Sequence, residues 1–289
     1  MNHNSYGIKT FSNGLKMLSA NPINNTGIAK AYYTIKDNPI GHSTDECGPF
    51  SCNIYKKYPD YDYALGNGIK DFNLCCEALE IAPKTVATNR LTYATDDVRI
   101  VTAADMLNYN ILDEKAAPHY DGLITDEKEI TLMTYAADCI LVNFLDVKNR
   151  VIGACHCSWT TTLKGIIENE VKTFINHYNS NPADIVAYIW PGISEEFFEV
   201  GEDCAEQFSK SGFDKYINIS SYAKPHIDLQ GVNKQILLNT GLHEKNIYIA
   251  NNLCTYRDEK WFHSYRRGPI NPDTKTHLNG MNGCFIKLV

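Results

Sequence analysis

A chain of 289 residues with 27 basic and 34 acidic side chains has a net charge of −7 and length enough for one large α/β domain or two small ones. Its 44% hydrophobic and 21% charged residues are those of an ordinary water-soluble protein, and the acidic balance, without any Lys/Arg-rich run, argues against a nucleic-acid partner. No apolar run reaches the roughly 18 residues of a membrane helix, and the opening residues lack the basic-then-apolar layout of a signal peptide. A cytoplasmic location away from membranes is therefore expected. Ten cysteines are scattered without a C-x-x-C pair, which speaks against a disulfide framework or a finger-type zinc site.

In chain order, residues 1–35 read as strand-rich, with Ala29–Thr34 the clearest β segment from its aromatic and branched content. Residues 41–63 hold Pro49, Pro59 and a tyrosine cluster. They read as a loop, either packed by its own aromatics or acting as a flap over a site. A helix is predicted over 67–82, stopped by Pro83. Strands are predicted at 85–87 and 97–101, with Asp121-Gly122 marking a turn. Beyond the central segment, helices are predicted over 161–178, 199–211 and 229–240, and strands at 185–190, 247–250 and 285–289. The long helix after the central segment would be capped by Thr160, Thr161 or Thr162. Without repeats or a linker, 1–289 is expected to be a single domain.

The central segment, 133–165, reads as strand, tight turn, strand and helix start. Apolar runs at 140–145 and 151–157 flank Asp146-Val147-Lys148-Asn149, a plausible hairpin loop. With that loop, Leu145 pairs with Arg150 and Cys139 falls opposite His156, placing their Cβ atoms roughly 4.5–5.5 Å apart on one face. A thiol and an imidazole so placed can hydrogen-bond or share a metal. A one-residue slip would separate them. Taken singly, a cysteine is commonly a buried hydrophobe and a lone histidine a structural residue. Asp138 before the cysteine and Ser158-Trp159 after the histidine strengthen the pair as a candidate site.

These segments carry a resemblance. Ala136-Ala137-Asp138-Cys139 and His156-Cys157-Ser158-Trp159 are followed by Trp190-Pro191-Gly192-Ile193, Phe198-Glu199-Val200-Gly201, Asp228-Leu229 with Asn233, Cys254-Thr255-Tyr256, and Phe262-His263-Ser264-Tyr265-Arg266-Arg267. In this order they resemble the YfiH-type laccase-domain family, also called multicopper polyphenol oxidoreductase-like proteins or purine nucleoside phosphorylases. The resemblance implies a single-domain α/β sandwich with mixed β-sheet, similar to that of putative cysteine hydrolases. It implies phosphorolysis or deamination of purine nucleosides, with purine nucleoside and phosphate as small-molecule partners. Cys139, His156 and Asp138 would be the catalytic residues, and Trp159, Arg266 and Arg267 would contact substrate.

The family's metal site combines a histidine in a Q-V-H context with the cysteine and histidine above, an arrangement suited to catalytic zinc. Here Leu91-Thr92-Tyr93 stands in that context, so the metal set would be Cys139, His156 and Tyr93. A phenol of pKa ~10 is a poor ligand beside imidazole. Affinity would fall unless His119 or another group moves in. Zinc is expected before copper, or no metal at all. Several family arginines are also replaced, including the one at Thr160, which weighs on phosphate recognition. Arg266 and Arg267 could hold an anion or could be a surface pair bound to carboxylates.

Three functions follow. One is a nucleoside enzyme with Cys139 and His156 at its centre, where Asp138 orients the histidine or accepts a ribose hydroxyl. Another is a metal-free cysteine hydrolase or deamidase, with a Cys139 thiolate and His156 as base. The last is a degenerate paralogue that has kept the fold and binds a ligand or partner without catalysis. Copper oxidase chemistry ranks low, because few histidines stand in ligand spacing.

Overall fold

Alternating side chains along the central hairpin feed two layers of core at once, and this sets the architecture. A computed structural model describes residues 5–42, 50–52, 62–88, 96–107, 120–270 and 279–289. The described strands are β1 (Tyr6–Thr10), β2 (Lys16–Ala20), β3 (Ala29–Thr34), β4 (Val86–Thr88), β5 (Val98–Ile100), β6 (Gly122–Thr125) and β7 (Thr131–Ala136), then β8 (Ile140–Asp146), β9 (Val151–Cys157), β10 (Ile185–Ile189), β11 (Ile217–Asn218), β12 (His226–Ile227), β13 (Ile247–Ile249) and β14 (Asn282–Leu288). The α-helices are α1 (Asn21–Asn24), α2 (Asp62–Ala78), α3 (Ala103–Met106), α4 (Trp159–Lys164), α5 (Ile166–Tyr178), α6 (Glu202–Lys210) and α7 (Leu229–Asn239). None of the described helices is long and apolar enough to cross a membrane.

Two six-stranded mixed sheets form, in the orders β1-β2-β3-β14-β7-β4 and β13-β10-β8-β9-β6-β5. In β8, Ile140, Val142 and Phe144 face α5 and α7, while Leu141 and Leu145 face the other sheet. Between the sheets those leucines meet Leu132, Tyr33, Cys284 and Trp190. The outer face of the first sheet, through Met17, Tyr32, Met133 and Phe285, packs on Phe72, Cys75 and Leu79 of α2 and its C-terminal end. The result is a helix–sheet–sheet–helix sandwich, the fold class the sequence led us to expect. One polar side chain ties the layers. Asn143, fully buried, accepts from Trp190 Nε1 at 2.8 Å and from Cys284 Sγ at 3.1 Å.

The hairpin register differs from expectation. Leu145 pairs with Ile152, not Arg150, and Leu141, not Cys139, lies opposite His156. The reason is Asp146. It ends the strand opposite Val151, and its Oδ1 accepts from the backbone N–H groups of Lys148 and Asn149, so the turn starts one residue later. Arg150 closes that turn with φ of +58°. The pairing moves by two positions, which preserves face parity, so Cys139 and His156 stay on one side of the sheet.

Other boundaries also move. The helix expected over 67–82 runs Asp62–Ala78. The helix expected over 161–178 is two, broken at Gly165 with φ of +94°. Its cap is Ser158, whose Oγ accepts from Thr161 N–H, rather than any of the threonines. Asp121-Gly122 does not form a mere turn, since Gly122 opens β6 and pairs with Cys155. Of the expected 41–63 loop, residues 43–49 and 53–61 lie outside the described residues.

Gly122 and Gly153 have a shared purpose. Both lie under Glu170 of α5, a fully buried carboxyl beside the Cys155 thiol. Burial pushes its pKa well above the usual carboxylate range. The folded state therefore keeps the proton, while the unfolded carboxyl loses it near pH ~4.3. The stability that Glu170 contributes is complete below that pH and is lost as pH rises through the folded-state pKa. Denaturation midpoints of wild type and Glu170→Gln, compared at pH 5 and pH 8, should shift in favour of the variant at the higher pH. A difference independent of pH would contradict a protonated Glu170.

Candidate active site

The chain crosses from one sheet to the other in three residues. β7 ends at Ala136 in the first sheet, β8 begins at Ile140 in the second, and Ala137, Asp138 and Cys139 make the passage. Asp138 takes the sharp turn with φ of +88°, a conformation that costs an L side chain roughly 1–3 kcal/mol. The carbonyl of Asp138 accepts from the Ile193 N–H at 2.9 Å, and glycine suits position 192 because a Cβ there would lie 2.9 Å from that carbonyl and would also crowd Ile140. The crossing leaves Cys139 partly exposed at the end of the inter-sheet layer.

His156 belongs to the facing strand and is fully buried. Its Nδ1 donates to Asp121 Oδ1 at 2.8 Å, and its backbone N–H donates to the Asp121 carbonyl at 2.8 Å. Its ring also lies within electrostatic reach of the Cys139 sulfur. Burial alone would lower the imidazole pKa. The neighbouring Cys139 sulfur and the Asp121 carboxylate overcome that and push it up to about 10. Cys139, His156 and Asp121 thus bring together a thiol, an imidazole and the carboxylate that holds it, groups able to serve as nucleophile, proton carrier and orienting acid.

Asp121 was not among the residues singled out in the sequence. The carboxylate beside His156 is Asp121's, and that of Asp138, expected to orient the histidine, turns to the loops opposite. It accepts from Thr255 Oγ1 at 2.7 Å, Ser264 Oγ at 2.9 Å and the Arg266 backbone N–H at 2.7 Å. Burial raises the Asp138 pKa, and these three donors oppose the rise.

Above the thiol and the imidazole lies a cavity of about 690 Å³, a size common for small-molecule sites. Cys139 and His156 line it, with Trp159, Phe198, Tyr265 and Arg266 on its walls. Trp159 is there because Ser158 caps α4 directly after β9. The two arginines part company. The Arg266 guanidinium lies over the Phe198 ring and donates through Nη1 to the Glu199 carbonyl at 2.9 Å. Arg267 points away and donates to the carbonyls of Thr255, Tyr256 and Phe262, closing the 254–267 loop on itself. It pairs loosely with Glu259 at 3.9 Å.

Tyr93 and His119 lie outside the described residues. Cys139 and His156 would suit a soft or borderline metal, and a carboxylate behind the imidazole is a common support for such a ligand. Yet among the described residues no group of three or more His, Cys, Asp or Glu is placed to hold an ion. The described residues do not by themselves make a zinc centre.

Residues 62–277 match the family described as multi-copper polyphenol oxidoreductase laccase, well over half of the chain. The chain belongs to that family. A relative from Bacteroides thetaiotaomicron named purine nucleoside phosphorylase is 35% identical over 150 residues, 51% of this chain and 55% of the relative. A protein of unknown prokaryotic origin named adenosine deaminase RL5 is 29% identical over 161 residues, 55% of this chain and 61% of its own. The chain spans about half the length of the first curated relatives it matches. Among solved structures, Bacillus licheniformis YfiH superposes with a TM-score of 0.82 at 23% identity, covering 99% of this chain and 100% of that one. At that identity the likeness speaks for the fold.

Proposed function

We propose that the chain processes purine nucleosides in the cavity above Cys139, by phosphorolysis or by deamination. The observation that carries this reading is Cys139 and His156, the latter held by Asp121, lining a cavity of nucleoside size that also presents Trp159, Phe198 and Tyr265. The names of the relatives agree with it. Trp159, Phe198 and Tyr265 offer flat surfaces to a purine, and Arg266 offers donors to phosphate or ribose oxygens. In phosphorolysis the bond from C1′ to the base nitrogen breaks, a C1′–O bond to phosphate forms, and a proton goes to the leaving base. In deamination water adds to C6 and ammonia leaves. His156, held by Asp121, is the group that can move the proton in either case. A metal at Cys139 and His156 would need a third ligand from outside the described residues, where Tyr93 stands, and zinc content of the purified protein tests that directly.

The experiment is incubation with adenosine and inosine, with and without phosphate. Phosphate-dependent release of free base shows phosphorolysis, and ammonia release from adenosine shows deamination. Cys139→Ala should lower either rate by about 10³-fold or more. No base and no ammonia from wild type would overturn the reading.

A second reading rests on the same placement of a partly exposed thiol beside an imidazole held by Asp121, which also suits a metal-free thiol hydrolase acting on an amide. Such an enzyme forms a thioester at Cys139 and releases ammonia or an amine. A covalent acyl adduct on Cys139, detected by mass spectrometry with amide substrates, would favour it.

A further inference from the structure

Asp138 is buried, sits beside Cys139 and yet turns its carboxylate away from His156. Its two oxygens serve three donors on two stretches of one loop: Thr255 on one side, Ser264 and Arg266 N–H on the other. Ser264 Oγ in turn accepts from the Arg267 N–H at 3.2 Å. A left-handed backbone at a non-glycine residue persists where surrounding bonds over-determine it, and these are such bonds. The residues so fixed carry Tyr265 and Arg266 to the cavity wall.

We propose that Asp138 is a positioning residue whose carboxylate clamps the 264–266 loop, and with it Tyr265 and Arg266, at the cavity wall, so that it governs substrate affinity rather than the chemistry at Cys139. The assignment to substrate affinity rests on the nucleoside reading, whereas the clamp itself does not. Asparagine at this position keeps the shape but turns one acceptor into an amide donor. That donor then faces a hydroxyl or the Arg266 N–H.

The test is hydrogen exchange on wild type and Asp138→Asn, followed by kinetics with adenosine and inosine. Exchange across 264–268 should quicken about tenfold while β8 and β9 keep their protection. KM should rise about tenfold with kcat within about threefold, the split that lost binding produces. Ser264→Ala, which removes one donor only, should give a smaller acceleration in the same peptide, and it serves if Asp138→Asn does not fold. Unchanged exchange across 264–268 in both variants overturns the clamp. A fall in kcat at constant KM overturns the assignment to affinity. If wild type turns over neither nucleoside, the nucleoside reading fails, and the exchange result alone decides the clamp.

Discussion

Asp121→Asn should leave the fold intact and lower kcat by about 10²–10⁴-fold, with little change in KM. Asp121 accepts from His156 Nδ1–H, and its charge helps to hold the ring protonated beside Cys139. An asparagine in the same place removes that charge and, where its amide faces Nδ1, the acceptor as well. The ring then gives up its proton more readily, and Cys139 loses a cationic partner. Both side chains are fully buried, so water cannot replace the missing acceptor. Steady-state kinetics with a Tm measured on the same sample checks this. An Asp121→Asn enzyme with wild-type kcat would show that the carboxylate is structural only.

Gly153→Val should cost about 3 kcal/mol. Any Cβ at residue 153 would collide with Glu170 Oε1 and lie 2.9 Å from Phe174 Cε2, both in the layer between sheet and α5. Glu170 cannot retreat, because Gly122 packs against its other oxygen and a Cβ there would be 2.7 Å away. The effect is tied to one neighbour and so is testable by coupling. Gly153→Ala should cost markedly less in a Glu170→Ala background than alone, as contacting residues do in double-mutant cycles. Additive costs in denaturant melts would contradict the contact.

Much of the hairpin was legible because period-two patterns and a short turn are local. The Ile140–Asp146 and Val151–Cys157 strands came from their apolar runs, and the shared face of Cys139 and His156 survived a register error because the error was even. The error itself came from Asp146, a residue equally at home at a strand end or in a turn, where only its bonds to Lys148 and Asn149 decide. Asp121 was missed for a different reason. It lies 35 residues before His156 and reaches it only through the pairing of β6 with β9, which no periodicity announces. The signal available was an acidic residue directly before a short apolar strand, weak by itself. Asp138 drew attention by adjacency, yet adjacency does not tell which way a side chain turns at a sheet-to-sheet crossing. Of the two adjacent arginines, nothing local distinguishes Arg266, which lines the cavity, from Arg267, which binds carbonyls.

The most direct test of the central claim, that nucleoside chemistry takes place at Cys139, is titration with a thiol alkylating agent in the presence and absence of adenosine. Peptide mass spectrometry follows each cysteine while residual turnover is measured. Cys139 is the partly exposed thiol at the cavity floor, and the other described cysteines are buried. Activity should fall in proportion to alkylation of Cys139, and adenosine should slow both together. Full turnover with Cys139 alkylated, or inactivation that tracks another cysteine, would contradict it.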